Sequence, residues 1–543
     1  VLINPIKYSI IILKQGGMIM GIYLNPNNSD FKESLNSEIY VDKSMLISKV
    51  NNIIDTKQKY VCISRPRRFG KSMTLEMLNA YYSSGCDSKE LFQDLKISQD
   101  GSFEKHLNKF NTIMLNVQEF YSDNNNSIDE MIEDITETLK TEMLKQYPNL
   151  DYISKDRLVR VMNTIYTETG TSFIFLIDEW DCIFRVSKND SKSQEKYLDF
   201  LRNLLKDKKY VSLAYMTGIL PIKKYGVHSA LNMFTEVSMT DVREFAEYTG
   251  FTEDEVKELC NRYSMSFEDT KKWYNGYNLE GVAIYNPRSV VMSMTGRKFN
   301  SYWTQTETYE ALKVYISMNF EGLRDVIVQL IAGGTYKIDT GTFSNDMTTF
   351  NRLDDVLTLL VHLGYLSYNF DTQEVRIPNY EISKEFVNVI EISKWNETIK
   401  AIKQSMDLLE DTWLLKENKV AKAIEDVHQE NTSIIKYNNE NSLSCVVSLA
   451  YYSAKEYYSV IRELPTGKGF ADIVMIPHKN HLDKPAMVIE LKFDKNVDTA
   501  IKQILRKEYT QSLKNYKGDI LLVGINYNKI TKAHTCKIIK VTK

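Results

Sequence analysis

The chain predicts an α/β protein in three parts, and three observations predict it. An apolar strand near the N-terminus runs into a Gly-Lys-Ser loop and then a helical segment. Strands go on alternating with helical segments to about residue 240, the pattern of a parallel sheet covered by helices. Near the C-terminus a second pair of β-branched runs carries Asp472, Glu490 and Lys492. The expected divisions are a leader over 1–20, a parallel-sheet domain built on a phosphate-binding loop over 21–240, a helical and winged-helix-like region over 241–395, and a smaller α/β domain with a helical connector over 396–543.

Residues 1–20 read as a leader. Ile10–Leu13 is too short for a signal-peptide core, and no small-residue cleavage site follows it. Gln15-Gly16-Gly17 can be encoded by a purine-rich run of the ribosome-binding type, so translation is expected to start at Met20. In the opening segment, 21–55, Tyr40 and Asp42 are candidates for nucleotide contact. They fit equally well as residues that cap and pack a helix starting near Ser44.

The strand Lys59–Ser64 leads into Arg65-Pro66-Arg67-Arg68-Phe69-Gly70-Lys71-Ser72, and Met73–Tyr82 reads as a helix. Backbone N–H groups of such a loop and the helix N-terminus can meet phosphates, Lys71 can bridge the terminal ones, and Ser72 can hold magnesium. The nucleotide contacts expected here are Arg65, Arg67, Arg68, Phe69, Gly70, Lys71, Ser72 and Met73. The usual first glycine of GxxxxGK[ST] is replaced by Arg65. The three arginines suit a triphosphate or a neighbouring subunit's nucleotide, and suit equally a basic rim paired with acids such as Asp181. Ser172–Ile177 is an apolar strand ending in Asp178-Glu179. There Asp178 can enter the magnesium shell and Glu179 can polarise water. The strand Tyr210–Met216 ends at Thr217, which can sense a γ-phosphate or simply close the strand.

The region 241–395 reads as mostly helical. Asp354–Leu366 followed by Glu374–Ile377 suggests a helix leading into a short β ribbon, as in a winged helix, for packing as a lid or for DNA contact. Trp273-Tyr274-Asn275-Gly276-Tyr277 can stack bases or form a packed turn. No glycine lies between Gly364 and Gly467 and no proline between Pro378 and Pro465, which predicts a helical connector.

Gly467–Ala471 is a turn into the Asp472 strand, and Val488–Lys492 is a second strand. Period-two geometry puts Glu490 and Lys492 on one face. Two carboxylates, Asp472 and Glu490, can share a divalent cation that activates water, while Lys492 orients the water or stabilises a pentavalent phosphorus. Ala500–Leu513 reads as a helix whose Gln503 and Lys507 can reach the same phosphate. From Leu491 onward twelve Lys and Arg face four Asp and Glu, a balance of +8 in a chain of formal charge −3. That suits a phosphate backbone and also a solvated tail.

Several of these segments resemble one family. Tyr40-Val41-Asp42-Lys43-Ser44, the 64–72 loop, Phe175–Asp181, Trp273–Tyr277 and Tyr285–Ser289 resemble the bacterial AAA-ATPase-like proteins, and Asp472 with Glu490 and Lys492 resembles the PD-(D/E)xK nucleases. The resemblance covers nearly everything after Gly21. It implies an AAA-like P-loop ATPase joined to a restriction-endonuclease-like domain. It makes the Arg65 loop a family trait and Glu440 an extra acidic metal ligand on the first nuclease helix. Gln503 and Tyr509 are similar to the family's helix after ExK. Lys507 breaks the Gln/Tyr pair of RecB-like nucleases.

Composition agrees with a large intracellular protein of 543 residues, 43% hydrophobic. Six scattered cysteines and seven histidines show no zinc spacing and predict reduced thiols in the cytoplasm. No apolar run is long enough to span a bilayer. The expected cofactors are ATP and Mg²⁺, with Mn²⁺ as a substitute at the nuclease site. The expected partners are nucleic acid, DNA before RNA, and a homo-oligomer. The resulting expectation is an ATPase coupled to a Mg²⁺-dependent nuclease in defence or mobile-element control. The alternative is an ATP-dependent signalling switch whose nuclease-like domain is a non-catalytic platform.

Overall fold

The computed structural model describes residues 21–222, 231–303, 308–318, 320–345, 347–431, 440–466, 469–506, 513 and 516–542. The chain divides into two compact units, one drawn from Val1–Gln305 and Ile338–Glu381, the other from Thr306–Lys337 and Ile382–Lys543.

The first unit is organised by five parallel strands, β1 (Tyr60–Ser64), β2 (Asn111–Asn116), β3 (Phe173–Asp178), β4 (Val211–Gly218) and β5 (Thr235–Val237), in the order β2-β3-β4-β1-β5. Every residue of β1, β3 and β4 is buried, which is why these segments read as continuous apolar runs without alternation. The helix Lys71–Tyr82 lays Leu75 and Leu78 on a core with Val61, Ile63, Ile174, Leu176 and Tyr215. β1 lies between β4 and β5, with β3 on the far side of β4, so the loop leaving its C-terminal end opens at the sheet edge where β4 and β3 also end.

The opening segment takes the packing role. Asp42 accepts hydrogen bonds from the backbone N–H of Ser44 at 2.8 Å and of Lys96 at 2.8 Å, and the helix Met45–Asn51 follows. Tyr40 packs edge-on against Phe31. The WYNGY segment is a packed turn: Tyr274 and Tyr277 are buried, and Trp273 meets Tyr380 edge-on at 4.8 Å.

The predicted helix and ribbon are present as Leu353–His362 followed by the antiparallel strands Ser367–Asn369 and Glu374–Arg376. The 241–395 region is nevertheless not one body, because Thr306–Lys337 belongs to the second unit. Its helix Leu323–Ile331 is tied to the connector there. Arg324 pairs with Glu397 at 2.9 Å and lies over the Trp395 ring, and the Ile331 carbonyl accepts from Lys455 Nζ at 2.9 Å.

In the second unit the connector is helical, as Asn396–Trp413 and Glu417–Glu430. A five-stranded mixed sheet follows, in the order Tyr458–Thr466, Gly469–Pro477, Ala486–Phe493, Ile520–Asn528, Ala533–Val541. Only Ala486–Phe493 and Ile520–Asn528 pair in parallel, and the helix Val497–Arg506 crosses between them. Ile501 and Ile504 of that helix pack on Val474, Val488 and Leu522. None of the six cysteines is in a disulfide. Among the described residues no helix is long and apolar enough to cross a membrane.

Candidate functional site

The first candidate site lies where β1, β3 and β4 end. Gly70, at φ +84°, turns the loop into the Lys71–Tyr82 helix, a backbone geometry that suits glycine. Lys71 is buried, and its Nζ donates to the carbonyls of Arg65 at 3.1 Å and Pro66 at 3.0 Å. Burial pushes the Lys71 ammonium below its usual pKa, against the opposing pull of Glu179, Asp178 and Asp181. Ser72 and Met73 are exposed on the first turn of the helix. The Ser72 hydroxyl donates to Asp178 Oδ2 at 2.5 Å, and the Thr217 hydroxyl donates to Asp178 Oδ1 at 2.5 Å. Strands β1, β3 and β4 thus converge on one carboxylate, with the loop lysine beside it.

Glu179 follows in the left-handed region at φ 50°. Burial raises its carboxyl pKa, while Arg185 and Lys71 oppose that shift. Its Oε2 accepts from Arg185, which sits on the short helix Cys182–Val186 and also donates to Asp181 at 3.1 Å. Asp181, one of the acids that a basic rim of loop arginines could pair with, pairs with Arg185. The signal for that contact was in the sequence, since positions 181 and 185 are one helical turn apart.

Two of the expected nucleotide contacts, Arg65 and Phe69, have side chains buried within the unit. Arg65 is 0% exposed; its Nε donates to Thr249 at 3.1 Å and its Nη1 to the Ser64 carbonyl at 3.0 Å. Burial brings its guanidinium down to a pKa of about 10. It therefore holds the loop from inside the unit. Phe69 is 1% exposed and meets Tyr277 edge-on at 5.5 Å, and the Tyr277 hydroxyl donates to the Gly364 carbonyl at 2.5 Å. Both side chains brace the loop against chain that follows some two hundred residues later, which no local pattern announces. Arg67 and Arg68 are half-buried on the loop, and Arg288 lies close enough to Arg68 to help lower its pKa, after burial.

The second candidate site is in the C-terminal sheet. Ile473 stands opposite Ile489, so the next pair toward the site is Asp472 and Glu490. At that point the ladder yields to a side chain, with Leu491 N–H donating to Asp472 Oδ2 at 2.6 Å. Glu490 is 1% exposed and Lys492 5%. Lys492 Nζ donates to Glu490 Oε1 at 2.8 Å and to the Leu491 carbonyl at 2.9 Å, and Gln503 Nε2 donates to the same Glu490 oxygen. Gly524 stands beside Glu490 in the parallel register, and a Cβ there would lie 3.0 Å from Ala500 Cβ and 3.2 Å from the Val497 carbonyl. The missing side chain lets the helix lie close enough for Gln503 to reach Glu490. Asp472, Glu490, Lys492 and Gln503 therefore meet in one place. Glu440 opens the helix Glu440–Ala450, but its side chain, like Lys507 and Tyr509, lies outside the described residues.

Comparison with known proteins assigns both segments. Residues 28–228 match the predicted AAA-ATPase family (AAA-ATPase-like), and residues 438–536 match the PD-(D/E)XK nuclease superfamily. A protein of Azotobacter chroococcum mcd 1 described as an uncharacterized protein in the vnfD 5′ region is 25% identical over 280 residues. That match covers 50% of this chain and 51% of the relative, so the chain spans about half the length of the curated relative it matches. Among solved structures, the Aeropyrum pernix ORC2 protein in its ADPNP–ADP complexes aligns over 66% of this chain and 97% of its own, at 11% identity and TM-score 0.28. The Pyrobaculum aerophilum CDC6P aligns over 67% and 98%, at 8% identity and TM-score 0.22. Likeness at these scores carries no argument. The two family matches occur in the order of the two sheets, an AAA-ATPase-like segment followed by a PD-(D/E)XK nuclease-like domain.

Proposed function

We propose that this protein binds and hydrolyses ATP with Mg²⁺ at the first site and cleaves nucleic acid, DNA in preference to RNA, at a metal-dependent second site. The observation that carries the reading is the convergence of Lys492 and Gln503 on Glu490, next to Asp472, inside a domain matched to the nuclease superfamily. A buried lysine-bonded carboxylate is a costly arrangement to keep for packing alone.

At the first site, Lys71 and the loop N–H groups would bind the β- and γ-phosphates, with Arg67 and Arg68 beside them. The Ser72 hydroxyl and the Asp178 carboxylate, already bonded to each other, are oxygen donors suited to Mg²⁺, which supplies charge neutralisation on the phosphates. Glu179 would accept a proton from the water that attacks the γ-phosphorus, with ADP as the leaving group. At the second site, the Asp472 and Glu490 carboxylates form an all-oxygen donor set that fits Mg²⁺ or Mn²⁺. Lys492 would orient water or stabilise charge at phosphorus, and Gln503 would hold Glu490 in place. The lysine-rich C-terminal segment would meet the phosphate backbone. Glu440 remains a candidate additional ligand. Self-association, a cytoplasmic location and a role in defence or mobile-element control complete the proposal.

The test incubates purified protein with ATP, Mg²⁺ or Mn²⁺ and single- and double-stranded DNA and RNA. Wild type should cleave a nucleic acid, DNA before RNA. Asp472→Ala and Glu490→Ala should lose both cleavage and metal affinity, whereas Lys492→Ala should lose cleavage alone. Wild-type protein that cuts no substrate with either metal would refute the nuclease reading.

A further inference from the structure

Arg185 belongs to none of the motifs that define the nucleotide site, yet it occupies a central position in it. Its side chain is 8% exposed, with Nη2 donating to Glu179 Oε2 and Nε donating to Asp181 Oδ2 at 3.1 Å. Asp181, 0% exposed, also accepts from the backbone N–H of Ile219 at 3.1 Å and Leu220 at 2.8 Å. Those two residues directly follow β4, whose Thr217 hydroxyl donates to Asp178. The Thr217 carbonyl in turn accepts from Trp180 N–H at 3.1 Å.

The contacts form a closed circuit. It runs from Asp178 through Thr217 to the end of β4, from there through Asp181 to Arg185, and back to Glu179. A glutamate side chain has three rotatable bonds, and left alone would spend most of its time out of line with an attacking water. A planar guanidinium bound to two carboxylates removes that freedom, because its N–H groups point in fixed directions. Asp181 anchors the guanidinium to main chain as well as to a side chain, so the support does not move with Glu179. Oε2 is the oxygen held, which assigns Oε1 to the water.

We propose that Arg185 is a positioning residue for ATP hydrolysis, fixing the Glu179 carboxylate relative to the end of β4 so that one oxygen is aimed at the attacking water. This rests on the reading that Glu179 receives the proton from that water. The role differs from that of the loop arginines, since Arg185 acts through Glu179 and need not touch the nucleotide.

The test measures Mg²⁺-ATPase rates and ATP affinity of the full chain as wild type, Arg185→Met, Arg185→Lys, Glu179→Gln and the double variant Glu179→Gln/Arg185→Met. Arg185→Met should lower kcat roughly 10- to 100-fold, the scale of losing alignment at a reacting group, with ATP affinity and KM little changed. Arg185→Lys keeps a cation beside buried Asp181 but cannot span both carboxylates, so it should fold and fall between wild type and Arg185→Met. In the Glu179→Gln background, Arg185→Met should cause no further loss, which a purely structural role would not produce. An unchanged or raised kcat in the Arg185 variants overturns the assignment, as does a parallel collapse of ATP binding. If Arg185→Met does not fold, Arg185→Lys decides: wild-type kcat overturns the proposal and a reduced kcat at unchanged affinity supports it. An active wild type with unaltered Arg185 variants overturns this inference alone. A wild type that binds ATP without turnover overturns the reading of Glu179 and this assignment with it.

Discussion

Phe69 lies inside the phosphate-loop sequence but its ring is buried edge-on against Tyr277, and that orientation has a measurable consequence. The ring is 1% exposed and edge-on to Tyr277, itself 1% exposed and hydrogen-bonded to the Gly364 carbonyl. Removing a buried phenyl group by Phe69→Ala should destabilise the N-terminal unit by about 3–5 kcal/mol. Phe69→Leu retains most of the apolar volume and should cost about 1–1.5 kcal/mol. Tyr277→Phe leaves the ring pair intact but strips the Gly364 carbonyl of a donor, at about 1–3 kcal/mol. A double-mutant cycle between Phe69→Leu and Tyr277→Leu should return a coupling of about 0.5–1.5 kcal/mol, the size of an aromatic pair term. Urea unfolding followed by the fluorescence of the tryptophans gives these energies, and ATP titration of the folded variants gives affinity. A ring that braces the loop without meeting the nucleotide predicts that affinity falls with stability and that Phe69→Leu restores most of both. Wild-type stability in Phe69→Ala together with weakened ATP binding would refute this, since it would put the ring against the nucleotide.

Two further outcomes follow from the C-terminal unit. Gly524→Ala sets a Cβ 3.0 Å from Ala500 Cβ and 3.2 Å from a backbone carbonyl, so it should push the Val497–Arg506 helix outward at a cost of about 1–3 kcal/mol. Gln503 should lose its hold on Glu490, and any nuclease activity should fall more than nucleic-acid affinity; a variant with unchanged stability and activity would show that the close approach is dispensable. The second outcome concerns His428 and His534, whose rings lie 5.0 Å apart beside Tyr527, and which burial pushes from 6.5 to about 4. Both are neutral in the folded unit at pH 7. Below pH 6.5 the unfolded chain takes up protons that the folded unit refuses, so this stability is full above 6.5 and is lost as pH falls toward 4. The urea midpoint of this unit should therefore drop between pH 7 and pH 5, with a shallower drop in His534→Gln. Equal slopes in the two proteins would refute the assignment.

The sequence by itself determined the elements and the short-range chemistry. The runs at 60–64, 173–178 and 211–218 are apolar because a central parallel strand is covered on both faces, so their identity was legible without knowing what covers them. Glu490 and Lys492 share a face because side chains alternate along a strand, and Ser72 follows Lys71 onto the first turn of a helix, where it meets Asp178. Tertiary structure alone decided the direction of the buried polar and aromatic side chains. Arg65 reads as a phosphate ligand by position, yet its Nε donates to Thr249, 184 residues on, and Phe69 meets Tyr277 at a similar distance along the chain. The division of the 241–395 region between two units was equally invisible, because a helix such as Leu323–Ile331 shows only that it has an apolar face. Which core receives that face depends on contacts distant in sequence, here with Trp395, Glu397 and Lys455. Local periodicity records how much of a residue must be buried; the partner that buries it is set by the fold of the whole unit.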